Sequence, residues 1–454
     1  MTDDSATETE STALETALGR AWTDDRPWNV LTQLTQLEHR MGGSAGERAG
    51  ATIVADALED AGVAGVDVRE FPMRYWERGH TRFAVTEPVE RSFDAIALPY
   101  SPPGDLEGPL VDVGYGTPEE IEDAGETVDG AIVVASTTTP PGQRFVHRME
   151  KFGHAVAAGA KAFVFANHVP GQLPPTGSLR FEGEAAMPGV GVSAETHDWL
   201  TDYADEGARA KLQVDASTDA ASSQNVVGTL GPDTDEEIVL LAHYDAHDIA
   251  EGALDNGCGI ATVVGAAAIL ARIEDDLECR VRVAGVGCEE IGLLGAEALA
   301  EDLDLESVRT VVNVDGAGRF RNLQVYSHAS DSVRELADSI GDRYGQPIVH
   351  EPDPHPFSDH WPFLRAGVPS LQLHSEAVDG GERGRGWGHT AADTRDKVDP
   401  RNLREHAMLT ALFVRELTRE RPPRIDAGTL RSALEEQEYE PGMRASDIWP
   451  AAWE

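Results

Sequence analysis

Residues 237–264, EIVLLAHYDAHDIAEGALDNGCGIATVV, decide how the chain is read. The run Ile238 to Ala242 is apolar without alternation, as a strand covered on both faces requires. It ends in His243-Tyr244-Asp245. Asp255-Asn256-Gly257 then gives a turn signal ahead of an apolar helical segment, Gly259 to Ile273. The same strand, polar turn and helix recur downstream. Val281 to Val286, Val311 to Val314 and Val368 to Leu373 read as strands, and Leu293 to Ala300 and Asn402 to Glu420 as helices. This alternation predicts an α/β fold, a mixed, mostly parallel open sheet with helices on both faces.

Toward the N-terminus the texture changes. From about residue 86 to 220 prolines gather in pairs (Pro102-Pro103, Pro140-Pro141, Pro174-Pro175). Short β-rich runs, Ala131 to Ala135 and Ala162 to Ala166, flank one helix-like segment, Val146 to Ala158. A separate β-rich domain inserted into the first is expected there. Ahead of it come a helix from about Trp28 to Met41, stopped by Gly42-Gly43, and a second helix with Ser44 as N-cap. Val66 to Phe71 alternates as a strand does. The expected organisation is 1–85 as the first part of the α/β domain, 86–220 as the insertion, 221–424 as the main part and 425–454 as a tail. Pro422-Pro423 ends the last long helix. Residues 1 to about 15, acidic and rich in Ser and Thr, are expected to fray.

Charge excludes some partners. The chain carries 80 acidic against 37 basic residues, a formal net charge of −43, and only Lys151, Lys161, Lys211 and Lys397 are lysines. Nucleic acid and anionic membrane need a basic footprint, so neither is expected as a partner. The acids are spread along the whole chain, the pattern of a surface solvated in molar salt, where repulsion is screened over about 3 Å. The halophilic reading is therefore preferred to steering of a cationic partner. Cys258, Cys279 and Cys288 have no framework spacing, and the N-terminus has neither a basic nor an apolar stretch. A cytoplasmic protein is expected, with a homo-oligomer left open.

The chemistry gathers at strand ends, where open α/β sheets bind ligands. His243 and Asp245 share a face of extended chain, so Asp245 is placed to orient the imidazole. Asp255 stands at the start of a helix, and its two oxygens could bridge two cations. In Cys288-Glu289-Glu290 one acid can bind metal while the other serves as a base. Asp315 follows the next strand, and His389 lies in a Gly-rich loop. Two divalent ions against Asp255, Glu290 and Asp315 leave one positive charge, which a hydroxide would neutralise. Imidazoles with carboxylates suit zinc first, with cobalt or manganese as alternatives. His247, His355, His360 and His374 are read as structural histidines, and Cys258 and Cys288 as small buried hydrophobes.

Five segments taken together resemble a known family. They are HYDAHDIAEGALDNGCGIATVV, GCEEIGLLGAEAL, NVDGAG, FSDHWPFLRAGVPSLQLHS and GHTAADTRDKVDP, with RMGGSAGERAGATIVADALEDAG (Arg40 to Gly62) near the N-terminus. They are similar to the co-catalytic di-zinc peptidases, which include leucyl aminopeptidases, aminopeptidase Y, glutamate carboxypeptidase and glutaminyl cyclase. The inserted region, with VDGAIVVASTTT and KFGHAVAAGAKAFVFAN, is similar to the protease-associated domain. The resemblance implies a zinc exopeptidase-like fold and two metals. His243, Asp255 and Asp315 would hold one, and Asp255, Glu290 and His389 the other. It further implies Glu289 as general base, Asp245 as the partner of His243, and removal of N-terminal residues from peptides. Carboxypeptidase or cyclase action, with Arg319 or Arg321 gripping a substrate carboxylate, is the rival within the fold. A non-catalytic receptor or scaffold is the rival outside it.

Overall fold

The computed structural model describes residues 3–376 and 386–454, so the stretch just before Gly386 in the loop read ahead of His389 lies outside the described residues. In chain order the strands are β1 (Ala64–Glu87), β2 (Arg91–Phe93), β3 (Ile96–Ala97), β4 (Gly104–Asp112), β5 (Ile132–Ser136), β6 (Ala162–Ala166) and β7 (Gly189–Val192). There follow β8 (Arg209–Leu230), β9 (Glu237–His243), β10 (Arg280–Val286), β11 (Val308–Val314), β12 (Asn322–Tyr326), β13 (Ile348–Glu351) and β14 (Ser370–Glu376).

The main sheet runs β13-β12-β14-β11-β9-β10-β8. β9 is parallel to both β10 and β11, and β11 is parallel to β14, while β12 and β8 pair antiparallel to their neighbours β14 and β10. The sheet is therefore mixed and mostly parallel at its centre. Every residue of β9 is buried, and its side chains alternate between two apolar clusters. Ile238, Leu240 and Ala242 face one with the helices Ala45–Ala61, Cys258–Leu270 and Pro400–Arg419. Val239 and Leu241 face the other with Leu299 of the helix Leu294–Glu301. Helices thus cover both faces, which is why β9 carries no polar alternation. The segment Ala253–Asp276 is long and apolar enough to cross a membrane by composition, but it lies inside this core. A helix that is apolar all round is the expected consequence of burial all round.

β1 and β8 join the two parts of the molecule. They pair antiparallel from Ala64 opposite Thr229 to Glu87 opposite Arg209. The C-terminal part of β8 pairs with β10, and its N-terminal part, Arg209 to Val214, pairs with β4 of the insertion. Positions 86 and 220 both lie within this ribbon, so the chain passes between the two parts along strands. In the insertion β4, β5, β6 and β7 are parallel, with β3 antiparallel at the edge. It carries three helices, Pro118–Ala124, Arg148–Ala157 and Ala194–Asp205, where the sequence suggested one.

Three further differences have local causes. Asp3–Ala21 is helical where fraying was expected, and Leu14, Ala17 and Ala21 dock it on the main core. The helix Arg26–Thr35 ends before Met41, because Arg40 turns inward and donates to Leu34 O at 3.2 Å. Between Asp315 and Val368 the sequence suggested nothing regular, yet β12, the helix Asp331–Tyr344 and β13 lie there. Their apolar signal is thin: the helix buries only Val333, Leu336, Ala337 and Ile340.

Candidate metal centre

β11, β9 and β10 are parallel neighbours, so their C-terminal ends share one edge. His243 is the last residue of β9, Asp315 follows β11 directly, and Glu289 and Glu290 stand just beyond β10. Asp255 lies in the turn before the helix Cys258–Leu270, joined to Asn256 by a cis peptide bond. His389 is brought in by a tight turn with φ +58°.

The five residues converge. His243 Nε2 lies 3.5 Å from Asp255 Oδ1 and 4.0 Å from Asp315 Oδ1. Asp255 Oδ2 lies 3.2 Å from His389 Nε2, which is 3.1 Å from Glu290 Oε2. One carboxylate thus faces both sides. Two groups are close enough to hold an ion each: His243, Asp255 and Asp315, and His247, Glu290 and His389. Glu289 Oε2 stands 3.9 Å from His243 Nε2.

The donor set fits divalent cations on its own geometry. His243 is fully buried, yet neither ring nitrogen meets a hydrogen-bond partner among the described residues. Carboxylates stand 3.4 to 4.0 Å from it instead. Donors around a tetrahedral zinc with bonds of 2.0–2.1 Å lie about 3.3 Å apart, close to most separations found here. A buried polar atom without a partner is costly, and a cation in the gap would remove that cost.

Each of these side chains is held from behind. Asp245 accepts from the N–H of Glu289 at 3.0 Å and of Glu290 at 3.3 Å, with His243 Nδ1 3.4 Å away. It therefore ties the end of β9 to the loop after β10. Asp393 accepts from the N–H groups of Leu254 and Asp255 at 2.6 and 3.1 Å. Asn256 Nδ2 donates to Val314 O, and its Oδ1 accepts from Gly259 and Gly316, stapling the helix start to β11. Ser358 donates to Asp315 Oδ2 at 2.7 Å, leaving Oδ1 toward His243. The insertion also reaches in. His389 Nδ1 donates to Thr176 O at 3.3 Å, Thr176 N–H donates to His389 O at 2.8 Å, and Ser178 Oγ donates to Glu290 O at 2.8 Å.

The N-terminal motif acts as a frame. Buried Arg40 donates to the carbonyls of Tyr244, Glu251 and Gly252, fixing the loop that carries Asp245 and His247. Glu47 accepts from the N–H groups of Gly43 and Cys288 and from Ser223 Oγ, fixing the loop that carries Glu289. Burial lowers Arg40 to about 10 and raises Glu47 to about 8.

Among the protein groups, burial works against charge on His243, but Glu289, Asp245 and Asp255 outweigh it and raise the imidazole well above its usual value. Burial drives Glu289 well above the ordinary carboxylate range, offset in part by His243. Glu290 goes the other way. Burial opposes its charge, and His247 and His389 overcome it, holding the carboxyl far below its usual range. Two adjacent acids thus have opposite environments.

The sequence reading passed over two residues here. His247, read from the sequence as a structural histidine, stands within the second group. Asp359 is fully buried, neither oxygen has a hydrogen-bond partner among the described residues, and burial raises its pKa well above the usual range. By contrast His360 serves the fold, its Nε2 donating to His355 O at 2.6 Å and its ring stacked on His328. The three cysteines are free and buried, and burial raises their thiols. Arg319 is buried, whereas Arg321 is largely exposed beside Glu405.

Comparison with known proteins agrees with this layout. Residues 225–414 match the family model of peptidase family M28, and residues 106–200 match that of the PA domain. Aminopeptidase YwaD of Bacillus subtilis is 28% identical over 297 residues, covering 61% of this chain and 61% of that protein. The probable lipoprotein aminopeptidase LpqL of Mycobacterium tuberculosis is 26% identical over 78% of this chain and 73% of its own length. Among solved structures, the zinc aminopeptidase BSAP of Bacillus subtilis superposes with a TM-score of 0.69 at 25% identity, covering 86% of this chain and 94% of that one. A peptidase M28 precursor from Shewanella amazonensis shares the fold with a TM-score of 0.76 at 22% identity, over 92% of this chain and all of its own. Residues 225–414 are thus similar to peptidase family M28, and the preceding residues 106–200 to the PA domain.

Proposed function

We propose that this protein is a two-metal aminopeptidase, with zinc as the metal, that removes N-terminal residues from peptides. The observation that carries the reading is the convergence of His243, Asp255, Glu290, Asp315 and His389 beside Glu289, which lies outside both ligand groups. Relatives named as aminopeptidases support the reaction class, and the neighbour named as a zinc enzyme supports the metal. When bound, such ions would polarise the scissile carbonyl and lower the pKa of a water to roughly 7.

The chain's own groups divide the remaining work. Asp255 presents one oxygen to each side, and Asp245 orients His243 while fixing the N–H groups of Glu289 and Glu290. Glu289 takes the proton of the attacking water and returns it to the departing amine, a task for which it stands 3.9 Å from His243 Nε2 and outside both ligand groups. The acidic, lysine-poor surface is read as an adaptation to molar salt.

One substrate panel tests the reading. Peptides with free and acetylated N-termini, and with free and amidated C-termini, are offered in molar salt before and after chelation. Cleavage is expected only with a free N-terminus, to be indifferent to the C-terminus, and to be lost on chelation. Cleavage of acetylated peptides would overturn it.

A further inference from the structure

We infer that His247 is a direct ligand of the cation held by Glu290 and His389, so that this half of the centre is built on two imidazoles; the inference rests on the two-metal reading. His247 lies beyond β9, four residues after His243, and is 5% exposed. Its Nε2 stands 3.0 Å from Glu290 Oε2, the same oxygen that lies 3.1 Å from His389 Nε2. The two rings meet edge to face with centroids 4.6 Å apart.

The ordinary alternative is an ion pair between a charged His247 and Glu290. Two observations oppose it. At 3.0 Å the pair still fails the alignment of an N–H donation, and neither nitrogen of His247 has a hydrogen-bond partner among the described residues. His389 also approaches the same carboxylate oxygen, so two imidazolium rings would be packed together in a buried site. A cation accounts for both, because it turns both Nε2 lone pairs and Oε2 toward one point. The separations of 3.0, 3.1 and, from His389 to Asp255 Oδ2, 3.2 Å are each short enough for neighbouring donors to share one cation.

His247, His389, Glu290 and Asp255 then make a set of four protein donors. The His243, Asp255 and Asp315 group offers three. Closed sets of four are characteristic of firmly held metals, and sets of three leave a position open. The His247 side is therefore the tighter one.

The test is metal uptake, independent of turnover. Native protein, His247→Ala and His247→Gln are stripped with chelator, checked for fold by circular dichroism in molar salt, and titrated with zinc against a chromophoric chelator. The native protein is expected to take up two equivalents. Both variants are expected to keep one and to bind the second more than about 100-fold more weakly, beyond the roughly 10–100-fold typical of a group that only orients a ligand. A smaller loss in either folded variant overturns the inference while leaving the two-metal reading intact. A native protein that takes up fewer than two equivalents overturns both. An anomalous map of zinc-loaded native crystals decides without variants: a peak about 2.0–2.1 Å from His247 Nε2 supports the inference, and a more distant one overturns it.

Discussion

The two halves of the centre are built differently. The His243 half stands on the sheet: His243 ends β9, Asp315 follows β11, and Ser358 and Asn256, which brace this half, belong to the same core. The His389 half stands on loops. Glu290 and His389 are both braced by Ser178 and Thr176 of the insertion, through contacts 112 and 213 residues apart in sequence. The first half inherits its rigidity from buried parallel strands. The second is held in part by the insertion, so the PA domain helps to shape this edge.

Asp255→Ala is expected to have the largest effect, because Asp255 belongs to both halves. Both metal affinities should fall together, and turnover should be lost. Loss of one ion alone, measured by metal analysis, would show that the halves are not bridged. Glu289→Gln comes next. Turnover should drop by about 10²–10⁴, the usual contribution of a positioned proton-transfer group, while metal content stays native. A variant within tenfold of native activity would show that Glu289 is not the base.

A paired comparison follows. Thr176→Pro removes the N–H donated to His389 O, and Ser358→Ala removes the hydroxyl on Asp315. Each should weaken metal binding about 10–100-fold, the range for groups that orient ligands. The first should act on the His389 side and the second on the His243 side. Equal losses on both sides in either variant would show that the halves are not separable.

The smallest effect lies within the insertion. Lys151 is buried, its Nζ donates to Ser136 O and Thr138 O, and burial lowers it from 10.5 to about 7. Between those values the unfolded chain holds a proton that the folded one lacks, so stability rises with pH across that window. Lys151→Met lacks this rise. Denaturant midpoints should move in favour of the native protein from pH 7 to 9, by up to about 1.4 kcal/mol per pH unit. A difference that stays flat with pH would mean that Lys151 remains charged in the fold.

Much of this centre is legible along the chain. The unbroken apolar run of β9, the acids that follow β10 and β11, and the turn at Asp255 are local patterns, and each marks a strand end facing ligand. Ser44 as an N-cap was equally legible, and it accepts from Glu47 N at 3.0 Å. The segment from β12 to β13 was not, because its apolar stripe is narrow.

The amino-acid sequence alone determined the mixed α/β class, the insertion, and the residues with the chemistry to bind metal, since these depend on periodicity and residue type within short windows. Tertiary structure alone decided that Arg40 and Glu47 clamp the site loops, that the carbonyl of Thr176 orients His389, and that His247 faces Glu290. A backbone carbonyl carries no residue signature, and a histidine beside a motif looks like any other. What distinguishes them is proximity across long stretches of chain, which arises only when the sheet closes its helices around one edge.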